Sequence, residues 1–273
     1  EDIDPCCDPF NPKSLDYEQI LAAQQNIKDT GSFKARGARN ALMRLAEEER
    51  KNGVFIGSTR NFARATAYHG KDLGIPVTVV LPRYSTLTTI ATCEHYGANV
   101  VIQGKTHEES MKAAFKLARE SGGKFINGHD HIDIMAGAGT IALEILEEST
   151  FFLTRRILAD MVDGVVAIRE GSLALGILKM FEQEKIVLEG AGAIGPAALL
   201  AGNIEGLAGK RVACILSGGN IESSMIGQTI EKGLAIDNRL IQVRVTMPDM
   251  VGGFAELFEI FARNGSSVKE FLT

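Results

Sequence analysis

A chain of 273 residues, 45% hydrophobic and 23% charged, is long and apolar enough to bury the cores of two compact units, which excludes a disordered polypeptide. Its formal net charge of −5 gives no basic surface for nucleic acid, so a small-molecule ligand is expected. The first residues (EDIDPCCDPFNP) are acidic and polar rather than signal-like, and the longest apolar run, 186–204, is broken by Glu189, Pro196 and several glycines; no membrane segment and a cytoplasmic location are therefore expected.

Residues 1–14, rich in Pro and Cys, read as a flexible leader. Cys6, Cys7, Cys93 and Cys214 lack metal-ligand spacing and suit reduced thiols. In TGSFKARGARNAL, Lys34 stands just before a helix whose Ala38, Ala41, Leu42 and Leu45 share one face; alone, such a lysine is an ordinary surface residue. From Val54 short β-branched runs alternate with helical patterns. The strands are VFI, PVTVVLP, NVVIQG and 124–127, and the helices are 60–71, 88–96, one opened by the capping-box pair Thr106 and Glu109, and 139–148. This alternation predicts βαβ units on a mainly parallel sheet, with 54–139 as a small lobe.

The theme repeats with VVAI, a helix over 173–184, IVLE, a glycine-rich turn, a helix, VACIL, another turn and a helix to Gly233; a large lobe of 15–53 with 140–238 is expected. Beyond Asn238, LIQVRVTM, a turn at 249–253, the helix FAELFEIFARNG and VKEFL read as the start of a β-α-β unit.

Three glycine-rich turns invite a ligand. GAGAIG (Gly190 to Gly195) matches the dinucleotide pattern G-x-G-x-x-G before Pro196, yet the strand that follows ends in Ser217, Gly218, Gly219 and Asn220 instead of the acidic residue a ribose needs. A tight turn is the simpler reading, with a nicotinamide site as the alternative. GAGTIA (Gly137 to Ala142) follows no strand and is a weaker match. In SGGN the glycines let backbone approach a ligand, and free N–H groups can meet an anion. His129 and His131 flank Asp130, but a structural or surface role, with no metal, is expected for them.

The string around Lys34 resembles the Schiff-base lysine motif of the fold-type II pyridoxal-phosphate enzymes, specifically the threonine dehydratase and serine racemase family. AYHGKDLGIPVTVVLP, YGANVVIQGK, INGHDHIDIMAGAGTIALEILE, KIVLEGAGAIGPAALLAG and VACILSGGNIESS agree with that family in the same order, from Asp16 to about Asn238. Residues 239–273 resemble the start of the ACT-type regulatory module that some members carry. The resemblance implies a two-lobed α/β architecture of mainly parallel sheets flanked by helices, pyridoxal phosphate as cofactor, a small amino-acid substrate and a homo-oligomer. It implies that Lys34 forms the internal aldimine and takes the α-proton, that Phe33 packs on the ring, and that Ser217 faces the pyridine nitrogen with Gly218 and Gly219 beside it. Asn61 would bond the ring oxygen, and Ser58, Thr59 and Arg60 would form the turn around the substrate carboxylate. The implied reaction is loss of water from threonine or serine, then release of ammonia and a 2-oxo acid.

Three departures qualify that likeness. Arg60 stands where the family's substrate turn has a glycine, either blocking the pocket or offering a bidentate fork to an anion. After the helix ending near Glu148, Ser149 and Thr150 lead straight into FFLTRRILADMVDGVVAI, so the glycine run that seats the cofactor phosphate is missing and its occupancy is in question. In AAQQNIKDTGSFK, what resembles the first helix joins the lysine motif directly, and loss of a core strand is expected. The alternative is a catalytically impaired relative that keeps the scaffold for binding or assembly.

Overall fold

The computed structural model describes residues 20–24, 30–148, 164–207, 209–210 and 212–272. The leader with Cys6 and Cys7, and the join at 149–163 where the glycine run is missing, lie outside the described residues.

Four parallel strands form the main sheet in the order β4-β3-β2-β5: β2 (Val54–Gly57), β3 (Val77–Leu81), β4 (Asn99–Ile102) and β5 (Lys124–Phe125). Helices cover both faces, so the central strands are apolar on both sides. Val54, Ile56, Val77, Val79 and Leu81 join one core with α1 (Lys34–Met43), α3 (Asn61–Leu73), Cys93 of α4 (Leu87–His95) and Ile134 of α6 (Ile132–Glu148). The opposite face, with Gly57, receives α5 (His107–Ser121) so closely that a Cβ on Gly57 would lie 2.6 Å from the Met111 Cα. Thr106 caps α5 as expected, accepting from the Glu109 N–H at 3.2 Å, but the Glu109 carboxylate returns to the Lys105 N–H at 2.7 Å instead of that of Thr106. The short helix α2 (Glu47–Asn52) leads into β2.

GAGTIA lies inside α6, which begins seven residues earlier than the expected 139–148. Its first glycine serves packing: a Cβ on Gly137 would stand 2.5 Å from the Arg36 carbonyl, and one on Gly37 2.7 Å from the Ile134 carbonyl. Backbone on backbone is thus how α1 crosses α6.

The expected loss of a core strand is corrected. Ile20–Gln24 is itself a strand, β1, paired in parallel with β6 (Val212–Leu216) from Ile20 opposite Val212 to Gln24 opposite Leu216. The shortened segment before the lysine motif takes the ladder position beside VACIL, since a β6 edge left bare would strand its backbone donors and acceptors. Behind this pair, Leu188, Ala193, Cys214 and Leu216 pack with Ile177 of α7 (Glu170–Lys179) in a second, smaller core. VVAI and IVLE, expected as strands, have no ladder partner among the described residues, and Val165 is 93% exposed. GAGAIG forms a 3-10 turn (Gly190–Ala193) that runs into α8 (Ile194–Leu200), followed after β6 by α9 (Ser223–Ile236). In the tail only the helix is formed, α10 (Gly253–Arg263); LIQVRVTM and VKEFL make no ladder among the described residues, because a strand without a neighbour leaves its polar backbone to solvent.

Candidate active site

The lysine motif and the SGGN turn are laced together by backbone. The Phe33 N–H donates to the Ser217 carbonyl at 3.0 Å, the Gly219 N–H donates to the Gly31 carbonyl at 3.0 Å, and Ser32 bridges Gly218 in antiparallel fashion. Lys34 opens α1, its own N–H held by the Ser32 Oγ at 3.2 Å. Partial burial of its ammonium holds the Lys34 amine below the ordinary lysine value, and the Glu189 carboxylate opposes that shift. The sequence-predicted pair Lys34 and Ser217 therefore sits on adjoining backbone, and the Ser217 hydroxyl makes a long contact of 3.5 Å to the Ala191 carbonyl.

The turn after β2 supplies the next wall. Ser58 is buried, its N–H bound to the Val80 carbonyl at 3.2 Å; Thr59 is half-buried; Arg60 is exposed at the N-terminus of α3. Asn61, the first residue of α3, donates to Glu189 Oε1 at 2.6 Å and accepts from Asn220 Nδ2 at 2.8 Å. Asn220 also donates to the Thr30 carbonyl at 2.7 Å. One network thus joins Asn61 and Asn220 to Glu189, which Coulombic attraction couples to Lys34.

Glu189 is the residue that sequence reasoning passed over, since it stood out only as a charge interrupting an apolar run. Its N–H donates to the Gly218 carbonyl at 3.0 Å, and a Cβ on Gly218 would meet its Oε1 at 2.5 Å. Gly192 is tighter still, with a Cβ there falling 2.2 Å from the Gly218 carbonyl. The middle glycine of GAGAIG, Gly192, therefore belongs to close backbone packing on the SGGN turn, which is the tight-turn reading and leaves the dinucleotide alternative without an acidic ribose partner. Among the described residues no group of three or more His, Cys, Asp or Glu side chains is arranged to hold a metal ion.

Residues 13–151 match the family described as "Pyridoxal-phosphate dependent enzyme". The L-threonine ammonia-lyase of Thermotoga maritima is 32% identical, over 92% of this chain and 79% of its own length. The chain belongs to the pyridoxal-phosphate dependent enzymes. That alignment spans 319 positions, more than the 273 residues of this chain, so the relative carries segments that this member of the family lacks. A second L-threonine ammonia-lyase, from Geobacter sulfurreducens, is 29% identical over 85% of this chain and 75% of its own. In fold, this pyridoxal-phosphate family member is similar to serine racemase from Dictyostelium discoideum, at a TM-score of 0.68 and 24% identity, covering 74% of this chain and 88% of the other. It is also similar to threonine deaminase isoform 2 from Solanum lycopersicum, at a TM-score of 0.68 and 19% identity, covering 85% and 87%. These likenesses bear out the α/β architecture of parallel sheets flanked by helices.

Proposed function

We propose that this pyridoxal-phosphate dependent enzyme removes water and then ammonia from threonine or serine, leaving a 2-oxo acid, with Lys34 as its nucleophile and base. The observation that carries the reading is the lacing of the Lys34 motif to the Ser217 turn, because it joins the backbone that carries a partly desolvated amine to the backbone that carries a hydroxyl. The names of the relatives, L-threonine ammonia-lyases, support the substrate class. The donor set suits a pyridoxal ring: an amine held below its ordinary value, the Ser217 hydroxyl and the carboxamides of Asn61 and Asn220. Bound pyridoxal phosphate supplies an electron-withdrawing ring that weakens the Cα–H bond of an amino acid.

The chain's own residues do the rest. Lys34, whose burial favours the uncharged amine, takes the α-proton. Ser58 and the free backbone N–H groups at the start of α3 hold the substrate carboxylate, and Arg60, exposed at the same turn, adds a cation to its rim. Phe33 bounds the ring on the Lys34 side, with Gly218 and Gly219 allowing the turn to approach it. The two lobes expected from the sequence, 54–139 and 15–53 with 140–238, are kept in this reading, supported by the two separate sheets. A small amino acid as the sole class of partner, a homo-oligomer and a cytoplasmic location also belong to this reading; among the described residues no helix is long and apolar enough to cross a membrane.

The test is to add pyridoxal phosphate, reduce with borohydride and map the modified peptide, then supply threonine or serine and follow 2-oxo acid release. Modification of Lys34 with release of 2-oxo acid is the expected outcome. A colourless protein unmodified at Lys34 would overturn the assignment, and modification without turnover would leave the impaired-relative alternative in its place.

A further inference from the structure

The carboxamide of Asn61 is bonded at both of its ends, and the partners decide which way round it lies. A backbone carbonyl and a carboxylate accept hydrogen bonds and donate none, whereas a carboxamide does both. The Thr30 carbonyl takes one N–H of Asn220 at 2.7 Å, so the bonded atom of that side chain is its nitrogen. The same nitrogen donates to Asn61 at 2.8 Å, and the Asn61 atom that faces it is therefore the oxygen, Oδ1. On the far side Glu189 Oε1 lies 2.6 Å from the Asn61 Nδ2 and takes one of its two N–H groups. Obligate acceptors thus stand at both ends of the chain, where an asparagine among water or hydroxyls is free to turn over. Asn61 keeps one N–H that no described residue takes up.

Both outer members rest on glycines. Gly31, at φ +69°, lies so close to the Asn220 carboxamide that a Cβ there would overlap it. A Cβ on Gly218 would likewise stand 2.5 Å from Glu189 Oε1, and the Glu189 N–H is held by the Gly218 carbonyl at 3.0 Å. These two glycines belong to the segments already laced together, since the Gly31 carbonyl accepts from the Gly219 N–H at 3.0 Å. The glycine of TGSFK and the first glycine of SGGN therefore make room for the side chains that orient Asn61.

We propose that Glu189 is a positioning residue: by accepting from Nδ2 it keeps the carboxamide of Asn61 from turning over, so that the site offers its ligand a donor there and selects a ring with an oxygen to accept it. Glu189 acts through Asn61, and Asn220 holds the opposite end. The identity of the ligand, pyridoxal phosphate, rests on the proposed function; its ring oxygen is the acceptor. A carboxamide turned the other way would set its carbonyl against that oxygen, acceptor against acceptor, and leave both without a partner.

The experiment compares the wild type with Glu189→Leu and Glu189→Ala, which have no acceptor at this place, and with Glu189→Gln, whose side-chain oxygen still accepts. In the full chain without cofactor, nitrogen-edited NMR should show the two Nδ2 protons of Asn61 widely split, with the bonded one downfield. The split should collapse in the Leu and Ala variants and largely persist in Glu189→Gln; an unmoved split in a Leu or Ala variant with a native-like backbone spectrum would overturn the proposal. Fluorescence titration then sets pyridoxal phosphate against an analogue that lacks only the ring hydroxyl. The wild type should favour the parent compound by about tenfold, the worth of one hydrogen bond to a charged oxygen. That ratio should fall toward unity in the Leu and Ala variants and be kept in Glu189→Gln. A loss of affinity shared equally by the two compounds would mark a merely structural carboxylate and sink the idea, as would a ratio left intact. If the wild type binds neither compound, the cofactor reading falls by itself, and the split of the Asn61 protons still decides whether Glu189 orients that side chain.

Discussion

The carboxamide of Asn220 donates to that of Asn61 across 2.8 Å, tying the turn after β6 to the first residue of α3, while its second contact reaches the Thr30 carbonyl. Asn220→Ala removes both bonds and leaves two acceptors unpaired, at a cost of about 1–3 kcal/mol. The expected outcome is a folded protein with a lower urea midpoint and pyridoxal phosphate binding weakened about tenfold or more, read by fluorescence titration. Unchanged affinity would mean that the network does not orient Asn61.

Lys34→Met should make the protein more stable at neutral pH while abolishing borohydride trapping. The sign follows from the folded amine being held below the ordinary value of 10.5. Between the folded and unfolded values the unfolded chain binds more protons, so wild-type stability rises as the pH climbs through that window. Below the window the wild type bears the whole penalty of its desolvated charge. Urea unfolding should show the variant ahead at neutral pH and the gap narrowing on the alkaline side; a constant gap would point to packing instead.

Gly192→Ala sets a methyl 2.2 Å from the Gly218 carbonyl, and backbone cannot swing aside as a flexible side chain does. A loss of about 1–3 kcal/mol is expected. Since the displaced turn carries Ser217, cofactor affinity should fall along with the melting temperature. Gly227→Ala, with nothing within 4 Å of the added methyl, is the control and should leave affinity unchanged.

Cys93 and Cys214 are buried, and burial pushes both thiols up to about 11. A disulfide reagent at mildly alkaline pH should leave these two unmodified in the native protein and label both once it is unfolded, as counted by mass spectrometry. Rapid native labelling of either would contradict its burial.

The four-stranded sheet is legible in the sequence because β2, β3 and β4 are short, β-branched and each followed by a helical pattern. VVAI and IVLE are similarly β-branched and form no ladder among the described residues, since a run of residues does not reveal what will lie beside it. For the same reason ILAAQ, which resembles a helix, becomes β1 against VACIL. Lys34 and Ser217 are legible from their local strings. Glu189 and Asn220 are not, because they reach Asn61 across 128 and 159 residues, and only the folded chain brings those amides together.

The pairing of β1 with β6 also carries a kinetic meaning. In the sheet from Val54 to Phe125 the pairing most distant in sequence sets Val54 opposite Lys124, whereas the contact between Thr30 and Asn220 closes a loop of 190 residues. Each doubling of a loop adds only about 0.6 kcal/mol of entropy, yet distant contacts form slowly. On the proposed function, a nascent chain released before VACIL would carry the Lys34 amine with no Ser217 turn to face it, so cofactor capture becomes one of the last events of maturation.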